Sequence, residues 1–210
     1  MDKKFIINIG RQLGSGGRSI ADMLAHHYGI TAYDRKLIEL AAKESGLSQE
    51  FFENADEKKW HGFFHSIFSN RAAANALGSN DSYLSNDALF KVQSDIIRDL
   101  AERESCIFIG RCADYILEDY KPFNIFVYAD MESRMERCRA KGGKDASLSD
   151  KELAKKIQSI DKARAQYYRF YSGRSWGDKS NYDLCINTSG RSIEKLAKAV
   201  AYTITNASEK

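Results

Sequence analysis

The sequence predicts an α/β fold in which helices cover both faces of a mostly parallel sheet. Three observations carry this. Short apolar runs alternate with longer segments of helical periodicity. Two of those runs stop at a glycine, Gly10 and Gly110, as strands entering a βα turn do. The chain also has one proline, Pro122, where average usage of about 5% would supply roughly ten. Few prolines leave room for long helices, and right-handed crossovers then make a three-layer sandwich the economical arrangement.

The elements follow in order. Phe5, Ile6, Ile7 and Ile9 form a β-branched run that reads as a buried strand. A glycine cluster comes next, then a helix face of Ile20, Met23, Leu24 and Tyr28 that ends at Gly29. Ile30 to Tyr33 is a short second strand. Leu37, Ile38, Leu40 and Ala41 suggest a helix, and Ser48 is a candidate N-cap stapled by Leu47 and Phe52. Asn75 to Ser85 is rich in Gly, Ser and Asn and reads as a loop. Leu89, Val92, Ile96, Ile97 and Leu100 share one face of a helix from Ser85 to about Arg103. Cys106 to Ile109 is a third strand, Ile125 to Tyr128 a fourth, and a basic helix over roughly 131–141 follows. Ser149 and Glu152 form a capping box that opens a helix with Leu153, Ile157 and Ile160 on one side. Leu184 to Ile186 is the fifth strand, and the last helix runs from Ser192 through Ile204.

Composition narrows the function classes. The chain has 210 residues, 43% hydrophobic and 29% charged, which excludes a disordered tail, a collagen-like chain and a coiled-coil rod. Lys plus Arg is 32 and Asp plus Glu 29, a net charge of +3. That balance argues against a general nucleic-acid binder and leaves room for a local basic pocket. Cys106, Cys112, Cys138 and Cys185 show no CxxC spacing, so they read as buried free thiols in a reducing compartment. The first apolar run is shorter than the roughly 7–15 residues of a secretory signal. It is far from the roughly 18 of a membrane span. A soluble cytoplasmic protein without membrane or nucleic-acid partners is expected.

The most informative segment is the strand, glycine loop and helix of IINIGRQLGSGGRSIA. Against the phosphate-loop pattern GxxxxGK[ST], Gln12 stands for the first glycine and Arg18 for the lysine. The physical requirements remain. Glycines let successive N–H groups curl round a phosphate, and a helix N-terminus adds its dipole. Gly14, Ser15, Gly16, Gly17, Arg18 and Ser19 are therefore the candidate phosphate cradle. Ser19 can give a hydroxyl to Mg²⁺, and Arg18 can bridge β- and γ-phosphates. Arg111 follows the third strand at the edge where α/β proteins bind ligands. Arg134 and Arg137 share a helix face with Arg139 close by, and such clusters clamp phosphates or form a solvated basic face. Asp161 and Arg164 are an i,i+3 pair. His61 and His65 are i,i+4 but lack a third ligand, so they read as part of an aromatic helix. Tyr167, Tyr168, Phe170, Tyr171 and Trp176 form an aromatic run that can stack a base or fill a core.

The blocks GRQLGSGGRSIA, AYDRKLI (32–38), CIFIGRCADYIL (106–117), NIFVYADMESRMERCRAKGG (124–143) and IDKARAQYYRFYSGRSWGDKSNYDLCINTS (160–189) resemble the nucleoside monophosphate kinases. They are most similar to the cytidylate kinase-like family. The resemblance covers nearly the whole chain. It implies a single three-layer P-loop kinase domain with a five-stranded sheet. A helical acceptor-binding insertion at about 35–85 and a lid at about 134–170 would belong to it. It further implies ATP and Mg²⁺ as cofactors and phosphoryl transfer to a small nucleotide, CMP or dCMP first. By resemblance, Arg18, Arg137 and Arg164 would serve the transferred group. Asp34, Arg35, Arg111, Asp114, Asp161 and Arg164 would hold the acceptor. Typical cytidylate kinases have Asp where this chain has Cys112, and Leu40 stands where they place a phosphate-binding arginine. A P-loop kinase for another phosphorylated or hydroxyl acceptor, and a nucleotide-binding regulator without turnover, stay open.

Overall fold

The computed structural model describes residues 4–34 and 86–207. The expected insertion at about 35–85, with Arg35, Leu40, His61 and His65, lies outside the described residues. Among the described residues, five strands form one sheet: β1 (Ile6–Arg11), β2 (Thr31–Tyr33), β3 (Cys106–Phe108), β4 (Phe123–Tyr128) and β5 (Leu184–Asn187). Their order is β2-β3-β1-β4-β5, and each neighbouring pair is parallel. The expected five-stranded α/β architecture is the one observed.

Period-2 alternation in β1 divides the core. Ile7 and Ile9 face α1 (Gly17–Tyr28) and the C-terminal helix (Ile193–Ala207), where Ile20, Leu24, Val200 and Ile204 complete a fully apolar layer. Ile6 faces the other side with Phe108, packed against Ile96, Ile97 and Leu100 of α2 (Asn86–Arg103) and Ile116 of the short α3 (Ala113–Ile116). Helices on both faces make the three layers. Two further helices, α4 (Met131–Ala140) and α5 (Asp150–Ser172), pack on each other through Cys138, Leu153 and Ile157; the C-terminal helix is therefore α6. The Ser149–Glu152 capping box is formed at the start of α5.

Two expectations are corrected. The first strand does not stop at Gly10. It continues to Arg11, because Gly10 pairs with Phe126 and Arg11 with Val127 of β4. Cys106, Cys112 and Cys138 are buried free thiols, but Cys185 is exposed. It sits on the edge strand β5, where alternation turns Ile186 inward and Cys185 outward. No helix among the described residues is long and apolar enough to cross a membrane.

Candidate active site

The loop between β1 and α1 is shaped by its carbonyl groups. Each carbonyl oxygen from Arg11 to Gly16 accepts a hydrogen bond. Arg164 donates to Arg11 at 3.1 Å, and the Ser15 hydroxyl to Gln12 at 2.9 Å. Arg134 donates to Leu13 at 2.7 Å and Arg137 to Gly14 at 3.4 Å. The Thr188 hydroxyl donates to Ser15 at 2.7 Å, and the Ile20 N–H to Gly16 at 3.0 Å. Gln12, where a glycine was expected, ties the loop to the sheet. Its N–H donates to Val127, and its side-chain oxygen accepts from the Ala129 N–H at 3.1 Å.

With the carbonyls held, the first amides of α1 are left for a ligand. Gly16 is the N-cap at φ 84°, no side chain caps the helix, and its first turn carries no acidic residue. A helix start in this state is an anion site. Gly14 is also left-handed at φ 77°, and a Cβ there would lie 2.5 Å from the Arg134 carbonyl oxygen.

The arginines expected at the transferred group take several positions. Arg134 is buried, bonded to Leu13 and paired with Asp161. Arg137 donates to both oxygens of Thr188, at 3.1 and 2.6 Å, and to the loop. Asp161, expected at the acceptor, lies behind the loop with its oxygens engaged by the Leu13 N–H, Arg134 and Arg164. Arg18 is exposed on α1 and pairs with the buried Asp34 at 2.6 Å.

Arg111, Asp114 and Arg164 meet at a cavity of about 580 Å³ beside the loop, at the carboxyl edge of the sheet. Gly110, Arg111 and Cys112 all have positive φ, 73°, 66° and 56°. Consecutive non-glycine residues in this region are strained, and such strain gathers at functional sites. This turn carries Arg111 to the cavity. Gln93 of α2 secures it by donating to the Arg111 carbonyl at 3.3 Å. Among the described residues the cavity is lined by four cations, Arg11, Arg111, Lys156 and Arg164, and by one carboxylate, Asp114. Burial raises the Asp114 carboxyl above its ordinary range, partly offset by the Tyr168 hydroxyl that donates to it at 2.6 Å. Burial likewise pushes the Cys112 thiol up. Tyr167, Tyr168, Trp176 and Tyr182 supply aromatic wall. Tyr171 stacks on Phe90 at 3.9 Å, so part of the aromatic run fills a core.

Sequence reasoning missed Asn8, Arg11 and Thr188. Asn8 is buried on β1 and lines the cavity. Its amide donates to Asn124 at 3.0 Å, and its Oδ1 has no hydrogen-bond partner among the described residues. A polar residue inside an otherwise apolar strand was the available signal. No group of three or more metal-binding side chains occurs among the described residues.

A family model described as the cytidylate kinase-like family matches residues 6–190. The chain belongs to this family. The cytidylate kinase of Methanopyrus kandleri is 27% identical to it over 194 residues, covering 88% of this chain and 84% of that one. Among solved structures, an uncharacterized protein from Eubacterium ventriosum is 25% identical with a TM-score of 0.70, covering 96% of this chain and 99% of its own. The shikimate kinase of Acinetobacter baumannii, solved with shikimate, is 14% identical with a TM-score of 0.53, covering 100% and 97%. That likeness shows the fold, and membership in the cytidylate kinase-like family makes this chain a P-loop phosphotransferase of the kinase type.

Proposed function

We propose that the protein transfers the terminal phosphoryl group of ATP to a nucleoside monophosphate, with CMP or dCMP as the first acceptor. One observation carries this reading. A loop with its carbonyls fastened and its helix amides open lies directly beside a cation-rich, aromatic-walled cavity. The loop suits a polyphosphate, and the cavity suits a base that carries a phosphate.

The chemistry needs little covalent help. Positioning and charge neutralisation dominate phosphoryl transfer. Gly14 to Ser19 hold the donor phosphates through their amides. Arg111 and Arg164 face the acceptor phosphate, and the aromatic wall takes the base. The orphaned Oδ1 of Asn8 is an acceptor for a donor group on the ligand, such as a ring amino group. Asp114 is the second polar group at that end of the cavity. The half-buried Ser19 hydroxyl in the first turn of α1 is a hard oxygen of the kind Mg²⁺ takes, with the Asp34 carboxylate brought near by Arg18. When bound, the ion neutralises charge on the phosphates.

A lid over about 134–170 belongs to this reading. Gly142 and Gly143, both at φ 74°, interrupt the chain between α4 and α5 with open space around them. Closure there would exclude water from the transfer.

The buried Cys112 favours a second acceptor class. A thiol accepts hydrogen bonds poorly, so one polar contact that a cytosine would use is weakened. A screen with ATP, Mg²⁺ and CMP, dCMP, UMP, AMP and a non-nucleotide phosphate tests both. Preference for CMP or dCMP supports the first reading. Equal rates on all acceptors, or transfer only to the non-nucleotide, reject it.

A further inference from the structure

Arg11, Arg18, Arg111 and Arg164 converge at the carboxyl edge of the sheet, with Asp34 facing them from the end of β2. Their charges are not balanced alike. Arg18 faces two carboxylates, Asp34 at 2.6 Å and Asp22 at 3.9 Å. Arg164 pairs with Asp161 at 3.2 Å. Arg111 reaches the Gln93 side chain at 3.5 Å. Arg11 differs. It is half-buried, and no hydrogen bond or ion pair engages its guanidinium among the described residues.

The path of this side chain explains two glycines. Its stem runs beside Gly17, where a Cβ would lie 2.5 Å from the Arg11 Cβ. Its guanidinium ends over Gly110, where a Cβ would overlap Nη1. Arg11 therefore fills the space that side chains at both positions would take. It reaches from the first residue of α1 to the turn that carries Arg111, and it lines the cavity. Burial, then Arg164 and Arg111, pull its pKa down to about 9, with Asp34 opposing. An anion at this point would offset what burial and three like charges impose.

We propose that Arg11 is the cation that meets the phosphate oxygens of a bound nucleotide between the loop and the cavity, the role that the sequence pattern assigns to Arg18. The inference rests on the kinase reading for the ligand's identity, and its geometry is independent of it. Arg11 leaves the strand end as a fork, able to touch two oxygens at once.

The test titrates tripolyphosphate and CMP separately into wild type, Arg11→Met, Arg11→Lys and Arg18→Met by calorimetry. Arg11→Met is expected to lose about 10–150-fold in affinity for at least one of the two anions, the worth of a charged hydrogen bond. Arg18→Met should lose less than about threefold, as befits an exposed ion pair. Should Arg11→Met fail to fold, Arg11→Lys carries the test, because a point charge cannot touch two oxygens as the planar fork does and should also lose affinity for the same anion. Loss for tripolyphosphate alone assigns Arg11 to the donor, and loss for CMP alone assigns it to the acceptor. Undiminished affinity for both anions in the variant that folds, or a larger loss in Arg18→Met, overturns the proposal. Wild type that binds through Arg11 but phosphorylates no acceptor rejects the kinase reading alone. Undiminished transfer by Arg11→Met rejects this inference alone, and wild type that binds neither anion rejects both.

Discussion

Arg134 and Asp161 form one buried ion pair that grips both backbone polar groups of Leu13. The Arg134 Nε donates to its carbonyl at 2.7 Å, and its N–H donates to the Asp161 Oδ1 at 2.9 Å. Two residues that read from sequence as surface charges or phosphate ligands instead fix the loop from behind. Asp161→Ala should cost about 3–5 kcal/mol, since it leaves Arg134 buried and unpaired. Urea denaturation measures this. The double variant Arg134→Met with Asp161→Leu should recover much of the stability but not ATP binding, because the Leu13 peptide stays unheld. A double variant that binds ATP like wild type would remove the pair from any role in shaping the loop.

Gly14 and Gly16 should respond differently to alanine. Both need a left-handed backbone, which costs a side chain about 1–2 kcal/mol. At Gly14 the added Cβ meets the Arg134 backbone, which cannot yield without moving α4. At Gly16 it meets the flexible side chain of Ile193, its Cδ1 first and its Cγ1 at 3.1 Å. Gly14→Ala should therefore be the more destabilising by thermal melting. Ile193→Val should relieve part of the Gly16→Ala loss and none of the Gly14→Ala loss.

Asp114 should trade stability against acceptor use. Burial holds its carboxyl above the ordinary 3.8, so ionisation disfavours the folded state. The wild type then gives up stability as pH rises from the ordinary value through the raised one. Asp114→Asn should gain stability at pH 7 and nothing once the pH is low enough to protonate the carboxyl in both states. If Asp114 reads the acceptor, the same change should lower kcat/KM for CMP by about tenfold while ATP binding holds. Denaturation at two pH values and steady-state kinetics check both signs.

Hydrogen exchange should locate the closing segment. Amides across 140–150 should gain protection when ATP and an acceptor bind together, and less with either alone. Exchange in that span that ignores both ligands counts against a lid hinged at Gly142 and Gly143.

Most of the fold was legible because each element carries its own period. The strands are short β-branched runs, and the Ser149–Glu152 box marks the start of α5 to the residue. The loop was legible from its glycines. Its supports were not, because they are long-range. Thr188 follows an ordinary edge strand, and nothing local distinguishes its hydroxyl from any other. Arg134, Arg137 and Asp161 were visible as charges, but sequence does not show that their partners are peptide groups of the loop. Asn8 was passed over as a strand residue and Arg11 as a position just past the strand end. Burial alone makes the first an orphaned acceptor and the second an unbalanced cation.

The hydrogen bond from Thr188 to Ser15 spans 173 residues of sequence. During synthesis the loop leaves the ribosome well before its fastenings, which come from α4, α5 and the residue just past β5. Chains grow at about 5–20 residues per second, so the loop waits roughly ten seconds or more for its last anchor. The growing chain therefore carries the glycine segment with its shape unset until Thr188 has emerged. A ribosome-bound chain that stops short of Thr188 should not be protected by ATP against proteolysis. The glycine loop, made before four of the five strands, is thus set only after β5 has been made.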